Sequence, residues 1–420
     1  MTGRVRLLSA GLRAMELVTR TKGLDAYQLA EAAWRSMGRP DVAFDDVLPA
    51  LDQLLQAVEA EAELSALGRH ATRWDVRRLL LNLLRFRIEE KQHPGIRDEP
   101  VAAPLFITGI PRSGTSSLHR LMTEDPAAQA PLCWQTIFPY PEMGRQAGAA
   151  DRRVQRVDIQ LRLFSALSPA IRSIHPISAG TPQECTEITA HVFRSLRFDT
   201  TYQIPSYRRW LAATGHLEAY RFHKTFLQHL QHQAGRKRWV LKCPDHVFAL
   251  DAIAQVYPDA RFIFVHRDPA NVIPSVARLT EVLRIPFAAR LHPLDIGRQV
   301  MEDWARGCQI MVDTDRRAAI PPAQVIHVRY SDIASRPLDT LQRIYDHFGL
   351  PLTSAAVEKV SERVNRAPRG GYGTNSYHLE PFGITPEEIR ERFQPYMDHF
   401  DIEPETSRAA PPIRPSRVAL

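Results

Sequence analysis

Ten residues, GIPRSGTSSL at 109–118, constrain this chain more than any other stretch. They follow a short apolar segment, 105–108, and lead into an amphipathic run, 117–124, that halts at Asp125-Pro126. Strand, glycine loop and helix in that order build a cradle for an anion. Backbone N–H groups converge at the helix start, where the helix dipole also favours negative charge. Gly109 and Gly114 have the spacing of the phosphate loop G-x-x-x-x-G-K-[ST], but Thr115 stands where the lysine belongs. The positive charge lies inside the loop, on Arg112. The pattern predicts a phosphate-binding loop built for a ligand other than ATP.

A chain of 420 residues can bury a full core, and its length suggests about two or three domains. No apolar run approaches the roughly 18–20 residues of a membrane span. The basic start lacks an uninterrupted apolar segment and a small-residue cleavage site, so no signal peptide is expected. Cys133, Cys185, Cys243 and Cys308 show neither C-x-x-C spacing nor disulfide density. A reduced, cytoplasmic setting is expected. Residues 1–100 carry 15 basic and 15 acidic side chains, so the net charge of +7 belongs to the remainder. That excess suits an anionic ligand, and it is too diluted among acids for the basic stripe of a nucleic-acid binder.

Residues 1–100 read as a helical region, with apolar steps of three and four at Val47-Leu48-Leu51-Leu54-Leu55-Val58 and again over 79–84. A catalytic α/β domain is expected over 101–405. Its strands, at 105–108, 239–242, 262–266 and 325–328, are continuously apolar, which suits a parallel sheet covered on both faces. Helices are expected at 247–256 and 338–348, the latter closed by Gly349. A helical insertion at 135–235 interrupts the strands and is a natural wall for a second pocket, and residues 406–420 read as a disordered tail. The architecture so predicted is a three-layer fold similar to phosphate-loop proteins, with a mostly parallel central sheet flanked by helices.

A second signal lies at 262–276, FIFVHRDPANVIPSV. Arg267 closes an apolar strand, at the carboxyl edge where open α/β sheets bind ligands. Its guanidinium suits bidentate phosphate recognition, and Ser275, about two helical turns on, can add a hydroxyl. Taken with the first loop, and with WVLKCPDHVFALDAI (239–253), VRYSDIASRPLDTL (328–341) and YHLEPFGI (377–384) in order, this resembles the sulfotransferase family. The likeness spans roughly 105–400 and is closest to a bacterial branch with a long helical N-terminal part. The resemblance implies 3′-phosphoadenosine 5′-phosphosulfate as donor and a small-molecule hydroxyl as acceptor. It places Pro111, Arg112, Ser113, Gly114, Thr115 and Ser116 around the 5′-phosphosulfate, and Arg267 and Ser275 on the 3′-phosphate. Tyr330 resembles an aromatic residue near the adenine, and Arg369-Gly370 a late basic-glycine motif on the 3′-phosphate.

The proton acceptor is left open between two residues. His246, four after Lys242, resembles the lysine-and-histidine site of many members, although their histidine follows the lysine by two. Glu184, in HPISAGTPQECTE (175–187), is the second candidate, read as lying with Glu187 on one face of a helix capped by Thr181. No His or Cys spacing suggests a metal, and the donor chemistry implied needs none. His229 and His232 read as exposed. Trp134, Phe138, Tyr140, Phe164 and Trp210 are candidates to line a pocket for a lipid, sterol, terpenoid or phenol. A phosphate-loop kinase or nucleotidase acting on ATP with Mg²⁺, or a non-catalytic nucleotide-binding protein, are the competing functions.

Overall fold

The computed structural model describes residues 23–141, 151–366 and 379–405. Five strands form one sheet: β1 (Leu105–Gly109), β2 (Ala128–Gln129), β3 (Arg238–Lys242), β4 (Arg261–His266) and β5 (Val325–Arg329). Their order is β2-β3-β1-β4-β5 and every pairing is parallel. All five carboxyl ends therefore share one edge, and ligand crevices of such sheets lie there. The predicted three-layer α/β arrangement is the one observed. β2 escapes sequence reading because it is only two residues long and carries no apolar run.

β1 is buried along its whole length, and alternation sorts its side chains between two cores. Leu105 and Ile107 pack with Leu118, Met122, Ile344 and Tyr345 on one face. Phe106 belongs to the larger core on the other face, which runs on to Leu51, Leu54, Leu79 and Leu83 of the N-terminal helices Leu48–Glu61 and Ala66–Gln92. Those helices have no separate core, so their stability is bound up with that of the sheet. Helix Ala66–Gln92 approaches so closely at Gly68 that a Cβ would lie 2.0 Å from the carbonyl oxygen of Phe287.

Local chemistry shifts several predicted boundaries. The loop helix runs Thr115–Met122, starting sooner than its apolar run suggests. The helix expected at 247–256 opens as a 3₁₀ turn, Pro244–Ala249, and becomes α-helical only over Leu250–Val256. His229 is fully buried rather than exposed, because its two ring nitrogens hydrogen-bond with Tyr140 and Glu90. His232 is exposed as expected. The 406–420 segment lies outside the described residues.

Gly109 has φ +134°, and a Cβ there would come within 2.2 Å of the Val265 carbonyl oxygen. Gly109→Ala is expected to lower the unfolding free energy by at least about 1–3 kcal/mol, the scale for a residue forced into that backbone region. A fall in the urea midpoint checks this; an unchanged midpoint would show that β1 can move away from β4.

Candidate active site

The loop after β1 is shaped by backbone conformations that few residues tolerate. Gly114 sits at φ +93°, and a Cβ would meet the Tyr330 ring at 2.7 Å. Arg112 adopts φ +63° without being glycine, a strained state of the kind that persists at ligand sites. The Ser113 hydroxyl donates to the Ile110 carbonyl at 2.7 Å and pins the turn. Among the described residues, the N–H groups from Arg112 to Ser117 donate to no protein acceptor, while Leu118 N–H closes the first helical turn on Gly114. An anion-sized set of donors is thus left at the helix start.

Parallel pairing brings the second motif to the same place. Gly109 pairs with Val265, so Arg112 and Arg267, a few residues beyond, become neighbours. Arg267 Nη1 donates to the Arg112 carbonyl at 2.9 Å, and Arg112 Nε donates to Ser275 Oγ at 3.1 Å. Ser275 lies in helix Pro269–Arg284, 3% exposed. The Arg267 guanidinium lies 3.9 Å from the centre of the Tyr330 ring, a cation–π contact. Pro111, Arg112, Ser113, Gly114, Thr115, Ser116, Arg267, Ser275 and Tyr330 are therefore brought together. Tyr330 touches the loop and covers the arginine. Arg369 and Gly370 lie outside the described residues.

Lys242 ends β3 beside this loop, 3% exposed, and its ammonium pairs with the Glu184 carboxylate. Burial would raise the proton affinity of Glu184, but the Lys242 charge and hydrogen bond hold it below the usual carboxylate range. Glu184 does not stand on a helix with Glu187 as the sequence suggested. The helix begins only at Thr186, and Thr181 instead bonds to Ser178. Glu187 turns to Arg78 and Arg197.

His246 departs from expectation. It is fully buried, its Nδ1 lies 2.5 Å from the Tyr220 hydroxyl, and its ring packs edge-on to Phe106 at 5.0 Å. Burial, with nearby His223 and Lys242, pushes its proton affinity well down. The cause is the 3₁₀ turn. Such a turn eclipses residues three apart, so Asp245 and Phe248 share the face that lines a cavity, while His246 and Ala249 face the core.

That cavity has a volume of about 430 Å³ and adjoins the loop through Pro111. Leu161, Phe164, Ile171, Ile177, Val276, Leu279 and Leu283 give it an apolar lining; His175, Glu184, Asp199, Asp245 and Asp303 supply polar groups. Of the five aromatics singled out from sequence, Phe164 alone lines it. Trp134 and Phe138 pack in a small cluster with Val157, Tyr140 meets His229, and Trp210 packs on Tyr207. Of these polar groups only Glu184 was singled out from sequence; His175, Asp199, Asp245 and Asp303 were not. Burial, with Glu184 and Asp303 adding, pushes Asp245 up to about 8, so its carboxyl is largely protonated at neutral pH. Burial lowers His175 to about 4, leaving a neutral imidazole. The Pro244-initiated turn was the signal for Asp245; nothing local marks His175.

A sequence model described as the sulfotransferase family matches residues 104–354. The chain belongs to the sulfotransferase family. This sulfotransferase is 26% identical over 328 residues to the omega-hydroxy-beta-dihydromenaquinone-9 sulfotransferase Stf3 of Mycobacterium bovis, covering 74% of this chain and 79% of the relative. Its fold matches the crystal structure of sulfotransferase STF1 from Mycobacterium tuberculosis, with 30% identity, a TM-score of 0.76 and coverage of 88% and 99%. It also matches sulfotransferase STF9 from Mycobacterium avium, with 26% identity, a TM-score of 0.80 and coverage of 90% and 97%. No helix among the described residues is long and apolar enough to cross a membrane.

The Lys242–Glu184 pair gives this sulfotransferase a pH-dependent share of its stability. A carboxylate depressed in the folded state stabilises above its unfolded value, and that contribution is lost as the pH falls through the folded one. Glu184→Gln is expected to cost roughly 1–3 kcal/mol at neutral pH, discounted from the fully buried case because Glu184 keeps 30% exposure. Urea denaturation should show that difference shrinking below the ordinary carboxylate range. A gap that stays constant with pH would mean the ion pair is not its source.

Proposed function

We propose that this sulfotransferase moves a sulfuryl group from 3′-phosphoadenosine 5′-phosphosulfate to the hydroxyl of a small hydrophobic acceptor. The observation that carries the reading is the meeting of Arg112, Ser275 and Arg267 around a loop whose N–H groups are free. Two separate cationic positions, one inside the loop and one at the end of β4, suit a ligand with two anionic groups. The loop and Arg112 would receive the 5′-phosphosulfate, and Arg267 with Ser275 the 3′-phosphate.

In such a transfer the acceptor oxygen bonds to sulfur as the bond from sulfur to the 5′-phosphate breaks. Like phosphoryl transfer, it needs positioning and charge stabilisation more than covalent help. Arg112 and the loop N–H groups stabilise the charge that builds on the departing phosphate. Glu184 takes the acceptor's proton. It lines the cavity, whereas His246 is enclosed. Its low proton affinity is no obstacle, since the hydroxyl turns acidic as its oxygen bonds to sulfur. Lys242 holds Glu184 ionised and aimed.

The apolar lining supports a lipid, terpenoid, sterol or phenol acceptor, and the name of the mycobacterial relative favours a hydroxylated isoprenoid lipid. Four buried free thiols accord with a cytoplasmic setting.

Calorimetric titration with 3′-phosphoadenosine 5′-phosphate, against AMP and Mg²⁺-ATP, is the direct test. Metal-independent binding that depends on the 3′-phosphate and disappears in Arg267→Ala is expected. Preference for Mg²⁺-ATP would overturn the donor assignment. Arg112→Ala should lower kcat by roughly 10²–10³-fold, and Glu184→Gln by about 10²–10⁴-fold. His246→Asn should keep kcat within a few-fold; an equal collapse in His246→Asn would return the base to the histidine.

A further inference from the structure

We infer that Glu405 is a built-in occupant of the 3′-phosphate position, a carboxylate that the donor must displace from Arg267. The inference rests on the donor assignment above. The two carboxylate oxygens of Glu405 accept from Arg267 Nε at 2.9 Å and Nη2 at 3.0 Å. This is the two-point fork by which arginine also binds phosphate. Elsewhere on the guanidinium, Nη1 bonds to the Arg112 carbonyl and one face lies against Tyr330, so the Nε–Nη2 edge is the two-point fork that Glu405 fills. A phosphate reaching the Nε–Nη2 edge therefore has to take the place of the carboxylate. The two anions cannot share that edge without direct repulsion.

Glu405 is delivered there by its backbone. Its N–H donates to Asp268 Oδ2 at 2.9 Å. Asp268 is in turn the cap of helix Pro269–Arg284, accepting from Ala270 N–H at 2.8 Å through its other oxygen. The anchor lies one residue from Arg267, so the side chain can leave the arginine while the backbone stays attached. The pair is also reachable from solvent, with Arg267 20% and Glu405 35% exposed. Such a pair is strong enough to fill the fork and weak enough to yield to a phosphate dianion.

A competitor of this kind lowers the apparent affinity of every nucleotide bearing a 3′-phosphate, because the binding-competent form is only part of the population. Nucleotides lacking that group do not need the fork. Glu405 thus restrains donor and spent product alike, and limits how firmly the product is retained after transfer.

The test is calorimetric titration of the full chain, Glu405→Gln and Glu405→Asp with 3′-phosphoadenosine 5′-phosphate and with AMP. Glu405→Gln should bind the 3′-phosphorylated nucleotide about 2- to 5-fold tighter, the scale for releasing one partly exposed ion pair. AMP affinity should stay unchanged, and Glu405→Asp, which keeps the charge on a shorter arm, should fall between. Equal affinity in all three proteins overturns the inference. Weaker binding in Glu405→Gln also overturns it, by showing that Glu405 holds Arg267 in place for the ligand. A parallel gain for AMP points to general charge relief and removes the fork from the explanation. If the 3′-phosphorylated nucleotide binds none of the three proteins, the donor reading itself falls, and this inference with it.

Discussion

At Gly109 the first strand passes so close to the fourth that a Cβ would stand 2.2 Å from the Val265 carbonyl oxygen, and the ligand end of the sheet depends on that approach. It sets the register that pairs Gly109 with Val265. It also brings two arginines, more than 150 residues apart in sequence, into direct contact through Arg267 Nη1 and the Arg112 carbonyl. With both cations engaged by neighbouring groups, neither is free to swing into solvent. Preorganisation of this kind is what lets fixed donors stabilise developing charge without reorganising first.

The two sides of the site differ in how their charges are treated. On the loop side, two arginines held by Ser275 and Glu405 stand beside a run of N–H groups that donate to no protein acceptor among the described residues. On the cavity side, acids are compensated one at a time: Glu184 by Lys242, Asp303 by Arg208, Asp245 by taking up a proton, and Asp199 by burial that pushes it up to about 7. An apolar enclosure with compensated charges accepts a hydrophobic alcohol at smaller desolvation cost than one lined by bare carboxylates. Lys242 belongs to both sides, since it ends a strand next to the loop and fixes the cavity's ionised carboxylate.

The N-terminal helices contribute more than bulk. Arg78 of helix Ala66–Gln92 bonds to Asp75, to Glu187 and to the Ile137 carbonyl, and Arg197 closes the group on Asp75 and Glu187. Burial opposes the charge on Asp75, but the two guanidinium groups hold its carboxyl well below the usual range. Glu187 and Arg197 also line the cavity. Removing one member would leave the remaining buried charges out of balance, so this network braces the cavity wall through the helix behind it.

What the sequence determined by itself were features that reside in short segments. Glycine spacing, apolar strand runs and the position of an arginine at a strand end are local, and they were enough to read the parallel sheet, the loop and the candidate anion-binding residues. The tertiary structure alone decided which side of a turn each residue faces and which distant groups meet. One 3₁₀ turn put Asp245 on the cavity and His246 in the core, and no periodicity read from a one-dimensional pattern distinguishes that from an α-helical start. Glu184 reaches Lys242, and Glu405 reaches Arg267, only through chain paths many residues long. The hydrophobic effect that drives such packing is non-directional, so the pattern of apolar residues says that a segment is buried but not which partners it is buried against.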